Sequence, residues 1–438
     1  MRSFSRGADM SALDRFIALP SAHAAGHRPS LTCVCSAHPL VIEAGLIEAS
    51  SAGQVPCIEA TCNQVNQDGG YTGMTPTDFR DLVMFIADKV GVARDTILLG
   101  GDHLGPNPWR HLPAAEAMAK ALVMTRAYGA AGFSKIHLDA SMSCADDLTP
   151  LSDHEIATRA AALMAQAEDG AQAGGHPPPA YIIGTEVPVP GGASEGHAHL
   201  TVTRAEDAAQ TVQAHVDALA AANLDHVWPR IVGLVVQPGV EFGQIEIDRY
   251  GAQAAHELAA WRGANAASLV FEAHSTDYQT AEALAQLVQD GFAILKVGPG
   301  LTFALREALY GLDAIAAEIV EGYGAGTLPA TMEAAMAANP QYWRAYVTGT
   351  QTQQKTQRHY GLSDRIRYLW PDPKAAAAVD QLMAALDGVD LPWPLISQHL
   401  GRLADPVGDA TLKPTARDLL VGAVRLALKP YTDAYQAV

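Results

Sequence analysis

Cationic side chains are scarce in this chain. Over 438 residues, 29 Lys and Arg stand against 47 Asp and Glu, a formal net charge of -18. That balance disfavours nonspecific binding to nucleic acid or to anionic membrane surfaces, so neither is an expected partner. It leaves phosphorylated small molecules open, because a pocket can be basic on an acidic protein. No stretch approaches the ~18 uninterrupted apolar residues of a membrane span. The basic N-terminus, MRSFSRGADMSALDRFIALPSAHA, has a short apolar patch broken by Asp9, Asp14 and Arg15, a poor signal peptide. The five cysteines are scattered, with no CxxC pair and no zinc-knuckle spacing. Buried, reduced thiols in a cytoplasmic protein are the expectation. Cys33 and Cys35, two apart on a strand, point to the same face of the sheet. GxxxxGKS/T, GxGxxG and GxSxG patterns are also missing where they would matter. P-loop phosphoryl transfer, Rossmann cofactor binding and a nucleophile elbow therefore lack support.

What is present is a recurring unit: a short apolar run, then a polar or ionisable residue, then a helix-like stretch. LTCVC precedes Ser36, PCIEAT precedes Cys62 and Asn63, TILLGG precedes Asp102 and His103, and SKIHL precedes Asp139. YIIGT precedes Glu186, IVGLVV precedes Gln237, SLVFEA precedes His274, and FAIL precedes Lys296. The runs are rich in Val, Ile and Leu with little alternation, as in strands buried on both faces. The intervening segments, such as AAEAMAKALVMTRAYGA, are rich in Ala, the best helix former. Eight such units predict an α/β fold, a (β/α)8 TIM barrel, which gathers all strand C-termini at one face. The alternation stops near residue 325. Residues 1–325 are expected to form the barrel, and 326–438 a helical C-terminal extension packed on it, rich in aromatics and punctuated by Pro371, Pro373, Pro392 and Pro394.

The sharpest local pattern is TILLGGDHLGPNPW, residues 96–109. Adjacent residues at a strand end diverge, so Asp102 is a candidate for moving a proton and His103 for holding a metal. Gly100 and Gly101 permit close backbone approach, and GPNP sets an irregular loop. A structural Asp–His pair capping the next helix explains the dipeptide equally well. His274, in SLVFEAHSTDYQT, ends another run and is a further candidate ligand, against the plainer reading of a structural His. Ser275 and Thr276 can donate to a phosphate or cap the next helix. Glu186 must be paired or functional, since an unpaired buried carboxylate is costly. The Pro- and Gly-rich segment after it resembles a lid loop. Asp139 shares the strand-end position, and His137, two residues back, faces the same way; either can orient a ligand from behind. Gln237 can bond a sugar hydroxyl or a backbone group. Lys296 is followed by Gly298, Pro299 and Gly300 at a helix start, where backbone N–H groups favour an anion. Barrels often hold phosphate after strands seven and eight. Lys296 either adds charge there or forms an internal ion pair. Arg365 and Arg367, in LSDRIRYLW, can also reach a phosphate, though a surface face is the plainer reading.

Taken together, GGDHLGPNPW, KIHLDASM, TEVPVPGG, QPGVEFG, FEAHSTDYQT and LKVGPGLTFALREALYGLD resemble the GatZ/KbaZ family associated with tagatose-1,6-bisphosphate aldolase. The similarity covers most of the chain, DRIRYLW included. The family is related to class II, metal-dependent ketose-bisphosphate aldolases, which are TIM barrels. The resemblance implies that Asp102 and His103 match the proton-transfer carboxylate and metal ligand after the third strand, and that His274 matches the ligand after the seventh. The aldolases carry a further His after the sixth strand; here Gln237 is near that place. Glu186 is then the expected third ligand and a second catalytic carboxylate, with Asp139 behind it. Asp139, Gln237, Ser275, Lys296, Gly298 and Gly300 are the expected substrate contacts. The implied cofactor is a divalent ion, zinc foremost. The implied activity is metal-assisted retro-aldol/aldol C4-epimerisation, interconverting D-tagatose 6-phosphate and D-fructose 6-phosphate. The other role in the family is a non-catalytic subunit stabilising a class II aldolase catalytic subunit, which would then be the partner. Self-association is compatible with either.

Overall fold

The computed structural model describes residues 10–185 and 200–437. Eight parallel strands close into a barrel: β1 Leu31–Cys35, β2 Cys57–Thr61, β3 Leu98–Leu104, β4 Lys135–Leu138, β5 Ala180–Ile183, β6 Ile231–Val235, β7 Val270–Ala273 and β8 Ile294–Val297. Each pairs with its neighbours in sequence, and β1 pairs with β8 to close the ring, Leu31 opposite Ile294 and Val34 opposite Val297. The (β/α)8 barrel read from the apolar runs is therefore the fold. Two strands run further than their apolar runs. β3 continues through Asp102 and His103 to Leu104, and β8 passes through Lys296. An antiparallel ribbon of Glu241–Phe242 and Ile247–Asp248, which the sequence did not announce, sits in the segment after β6.

The barrel interior changes character along its axis. At the strand N-termini it is apolar, with Leu31, Cys33, Cys57, Leu98, Ile182, Val270 and Ile294 packed together. The N-terminal helices Ala12–Ile17 and Leu19–Ala24 add Phe16 and Leu19 to that cluster. One strand-step higher the inward positions are charged: Glu59, Lys135, Glu272 and Lys296 are all buried. Period-two alternation then carries the next inward positions to the strand C-termini.

Close packing outside the barrel depends on small residues. Helices Ala114–Ala130 and Asp153–Gly174 meet at Gly129 and Gly170. A Cβ on Gly129 would lie 2.3 Å from the Ala167 carbonyl oxygen, and one on Gly170 2.1 Å from that of Arg126. The extension is helical and ends in a long helix, Ala416–Ala437, lying against Pro39–Ser51, Ala281–Gln289 and Pro299–Ile319. Arg417 grips the Glu43 carboxylate through two nitrogens at 2.7 and 2.5 Å, and Tyr431 donates to the Thr276 carbonyl at 2.8 Å. Among the described residues, no helix is long and apolar enough to cross a membrane.

Gly129→Ala is expected to lower stability by roughly 1–3 kcal/mol, because the helix backbones must separate. Gly263→Ala, where an added Cβ meets nothing within 4 Å, should be neutral or slightly stabilising. Denaturant midpoints of the two variants check this.

Candidate active site

The site is built on a lattice of buried charge. Lys135 Nζ lies 2.7 Å from Glu59 Oε1 and 2.7 Å from Glu272 Oε2. Lys296 contacts Glu59, lies 2.7 Å from Asp102 Oδ1, and is 3.8 Å from Glu272 Oε1. Gly100 makes room for this arrangement, since a Cβ there would fall 2.4 Å from Glu59 Cγ. Burial alone would neutralise both lysines, but the carboxylates outweigh it and hold each well above the ordinary ammonium range. Burial would likewise raise the Asp102 carboxyl. Lys296, His103 and His137 overcome that and hold it well below the usual carboxylate range.

Three imidazoles sit on top of the lattice. The rings of His103, His137 and His274 are mutually edge-on, with centroids 4.8 to 5.1 Å apart. Each is tied to a carboxylate by one nitrogen. His103 Nδ1 is 2.9 Å from Asp139 Oδ2, His137 Nδ1 is 2.9 Å from Asp102 Oδ1, and His274 Nε2 is 2.9 Å from Glu272 Oε1. The His103 backbone N–H also approaches His137 Nδ1, at 3.2 Å. The ionised Asp102 is the stronger partner, so we place the proton on His137 Nδ1. That leaves His137 Nε2 buried with no hydrogen-bond partner. Burial pushes His274 down to about 4, so it is neutral near pH 7, the form that can bind a metal. For His103, burial opposes charging, but Asp102 and Asp139 more than compensate and raise it. One donor atom from each of Asp102, His103, His137 and His274 lies within 4.8 Å of the others. Carboxylate-anchored imidazoles with their second nitrogens left over, one of them orphaned, fit a divalent cation.

Asp102 and His103 do not diverge. The β3–β4 register shifts between Gly101 and Leu104, and His103 adopts φ 50. Both side chains are thereby turned into one cavity, also lined by Thr61, Asn63, His274, Ser275 and Lys296. Of the candidate site residues singled out from sequence, Asp102, His103, His274, Ser275, Lys296, Gly298 and Arg367 line this cavity. Glu186 lies outside the described residues. Asp139 is fully buried behind His103, with Ser141 Oγ donating to its other oxygen at 2.6 Å, so it orients the imidazole rather than facing substrate. Gln237 turns inward on its own loop, its Oε1 accepting from the N–H groups of Gly239 and Val240 at 2.8 and 3.1 Å. The phosphate site expected at Gly298 and Gly300 is filled by the chain itself. Both N–H groups donate to Asp277 Oδ1, at 3.0 and 2.7 Å. Burial pushes the Asp277 carboxyl up to about 6 despite those donors.

His137 was legible only as a residue that orients a ligand, and the geometry makes it a candidate ligand instead. Glu59, Lys135 and Glu272 passed unremarked. Their signal was a charge inside an apolar, doubly buried strand, at even spacing from a strand-end residue: Lys135, His137, Asp139 and Glu272, His274. His137→Ala is expected to abolish stoichiometric binding of a divalent ion, and Asp139→Asn to weaken it roughly 10- to 100-fold. Gln237→Ala should leave it unchanged. Equilibrium dialysis with metal analysis reads all three.

A family model for D-tagatose-1,6-bisphosphate aldolase subunit GatZ/KbaZ-like proteins matches residues 16–436. A protein of Salmonella newport named D-tagatose-1,6-bisphosphate aldolase subunit GatZ is 47% identical over 411 residues, 94% of this chain and 97% of that one. One of Agrobacterium fabrum named D-tagatose 6-phosphate 4-epimerase is 49% identical over 416 residues, 95% of this chain and 97% of that one. A crystal structure described as a probable tagatose 6 phosphate kinase from Sinorhizobium meliloti superposes with a TM-score of 0.85 at 52% identity, covering 92% of this chain and all of that one. The chain belongs to the D-tagatose-1,6-bisphosphate aldolase subunit GatZ/KbaZ-like family.

Proposed function

We propose that this protein is a metal-dependent sugar-phosphate 4-epimerase that interconverts D-tagatose 6-phosphate and D-fructose 6-phosphate. The observation that carries the reading is the trio of carboxylate-anchored histidines beside an ionised Asp102, with Asp102, His103 and His274 lining one cavity at the strand C-termini and His137 buried against them. The name of the Agrobacterium relative agrees with it.

The chemistry follows from the substrate. The hydrogen on C4 of a 2-ketose is not next to the carbonyl and is not acidic. Inversion there is reached more readily by opening the C3–C4 bond. A divalent ion on His103, His137 and His274, zinc foremost given the imidazole donors, would supply Lewis acidity toward the oxygens on C2 and C3. Asp102 takes the proton from the C4 hydroxyl, and Lys296 keeps that carboxylate ionised between turnovers. The C3–C4 pair then stays with C3, leaving a dihydroxyacetone enediolate and glyceraldehyde 3-phosphate. The cavity walls, with Ser275, Asn63 and Thr61 able to bond hydroxyls, retain the aldehyde while it turns its other face. The bond re-forms, and Asp102 returns the proton to the new C4 oxygen. Glu186 stays a candidate second carboxylate.

The relatives named as aldolase subunits favour a second reading, stabilisation of a class II aldolase partner. Purified protein supplied with a divalent ion and no nucleotide should interconvert the two ketose phosphates, and a chelator should stop it. Asp102→Asn should lower kcat roughly 10²- to 10⁴-fold. A chain inert alone that raises the activity of a co-expressed class II aldolase would overturn the epimerase reading.

A further inference from the structure

The cavity holds few cations to meet a phosphate. Lys296 is saturated by Asp102, Glu59 and Glu272, and the helix-start N–H groups of Gly298 and Gly300 are taken by Asp277. Arg367 remains. It comes from the C-terminal extension, in the short 3-10 segment Arg365–Leu369, and lines the same cavity as Asp102, His103 and His274. It also lines an adjoining chamber, with Gln64, Tyr71 and Trp370 among its walls. Its guanidinium donates to the carbonyls of Ser363 and Asp364 and, at 3.1 Å, to the Tyr368 hydroxyl. Among the described residues it is in no ion pair with a carboxylate.

The segment around Arg367 is fastened to the barrel mouth. Tyr278 donates to the Leu362 carbonyl at 2.5 Å, Gln244 Nε2 to Ser363 Oγ at 2.6 Å, and Thr302 Oγ1 to Asp364 at 2.6 Å. Those three partners come from the segments after β6, β7 and β8. Tyr368 stacks on Tyr342 with centroids 5.1 Å apart and 6° between planes, and Tyr71 covers it at 4.8 Å. Arg365 is packed into this scaffold and does not line either cavity. Its guanidinium lies 3.7 Å from the Tyr346 ring centroid, and its Nε donates to the Tyr342 carbonyl at 2.7 Å. Such anchoring fixes Arg367 before a ligand arrives.

We infer that Arg367 is the phosphate receptor of the site, and that the extension therefore completes a pocket for a ketose bearing one phosphate rather than two. This rests on the sugar-phosphate reading of the cavity. Arginine suits the task, since its planar fork meets phosphate oxygens through two parallel N–H donors. A second phosphate finds no other unpaired cation among the described lining residues. The segment 186–199 contains neither Lys nor Arg, and its ionisable nitrogens are those of His197 and His199.

Calorimetric binding to metal-loaded protein tests this without needing turnover. D-tagatose 6-phosphate should bind more tightly than D-tagatose, and inorganic phosphate should compete with the former. Arg367→Met should weaken the 6-phosphate roughly 10- to 100-fold while leaving D-tagatose unchanged, and Arg367→Lys should recover part of the loss. In the wild type, independent of any folding defect in a variant, D-tagatose 1,6-bisphosphate should bind no more tightly than the 6-phosphate. Tighter binding of the bisphosphate, or an unchanged affinity for the 6-phosphate in folded Arg367→Met, overturns the inference. Arg367-dependent binding without epimerisation would support the receptor and sink the epimerase reading; epimerisation with KM unchanged in Arg367→Met would do the reverse.

Discussion

Lys135 and Lys296 are buried inside the barrel, and each stays charged there because carboxylates from other strands reach it across the interior. Everything above them follows from that lattice. Glu272 faces Lys135 with one oxygen and His274 with the other. Asp102 Oδ1 is shared by Lys296 and His137. The ion pairs therefore set the tautomer and direction of two of the three imidazoles, and Asp139 sets the third. Loss of one member would leave a buried charge unmatched, at a cost of roughly 3–5 kcal/mol. The lattice thus couples the stability of the barrel to the orientation of its candidate ligands.

Much of this was legible in the sequence because double-sided burial leaves a plain mark. A strand covered on both faces reads as an apolar run, and a polar residue where it ends stands out. Asp102, His103, Ser275 and His274 were found that way, and all line one cavity. What escaped depended on contacts between distant segments. The turn of His103 into the cavity needs a local register shift and a positive φ, neither of which is written in GGDH. GPG at the last helix has the composition of an anion site, but Asp277, from the segment after β7, already fills it. Gln237 had two readings from the start, and its own loop amides claim its side-chain oxygen. Arg367 is named from sequence as able to reach a phosphate, with a surface face as the plainer reading, and the packing of the extension brings it to the barrel mouth instead. Lys135, Glu59 and Glu272 were readable in principle, as charges in strands that should carry none.

Relatives of this chain carry names that differ in chemistry: an aldolase subunit, a 4-epimerase, a kinase. On the reading proposed here the first two are close. An aldolase and a retro-aldol epimerase break the same C3–C4 bond, and they differ in whether the aldehyde fragment leaves or turns over and is recaptured. Retention of that fragment is then the distinguishing property, and a fixed cation holding its phosphate is a direct physical means to it. The extension, which composition alone marked as a helical appendage, contributes Arg367 and Tyr368 to the wall of the cavity.

The central claim is that His103, His137 and His274 share one divalent cation. Anomalous diffraction from crystals grown with zinc, recorded on both sides of the zinc absorption edge, tests it most directly. The account predicts a single strong peak within bonding distance of a nitrogen on each of the three rings, with Gln237 outside its coordination sphere. A peak that omits His137, or zinc bound elsewhere while the three imidazoles remain packed as they are, would contradict it.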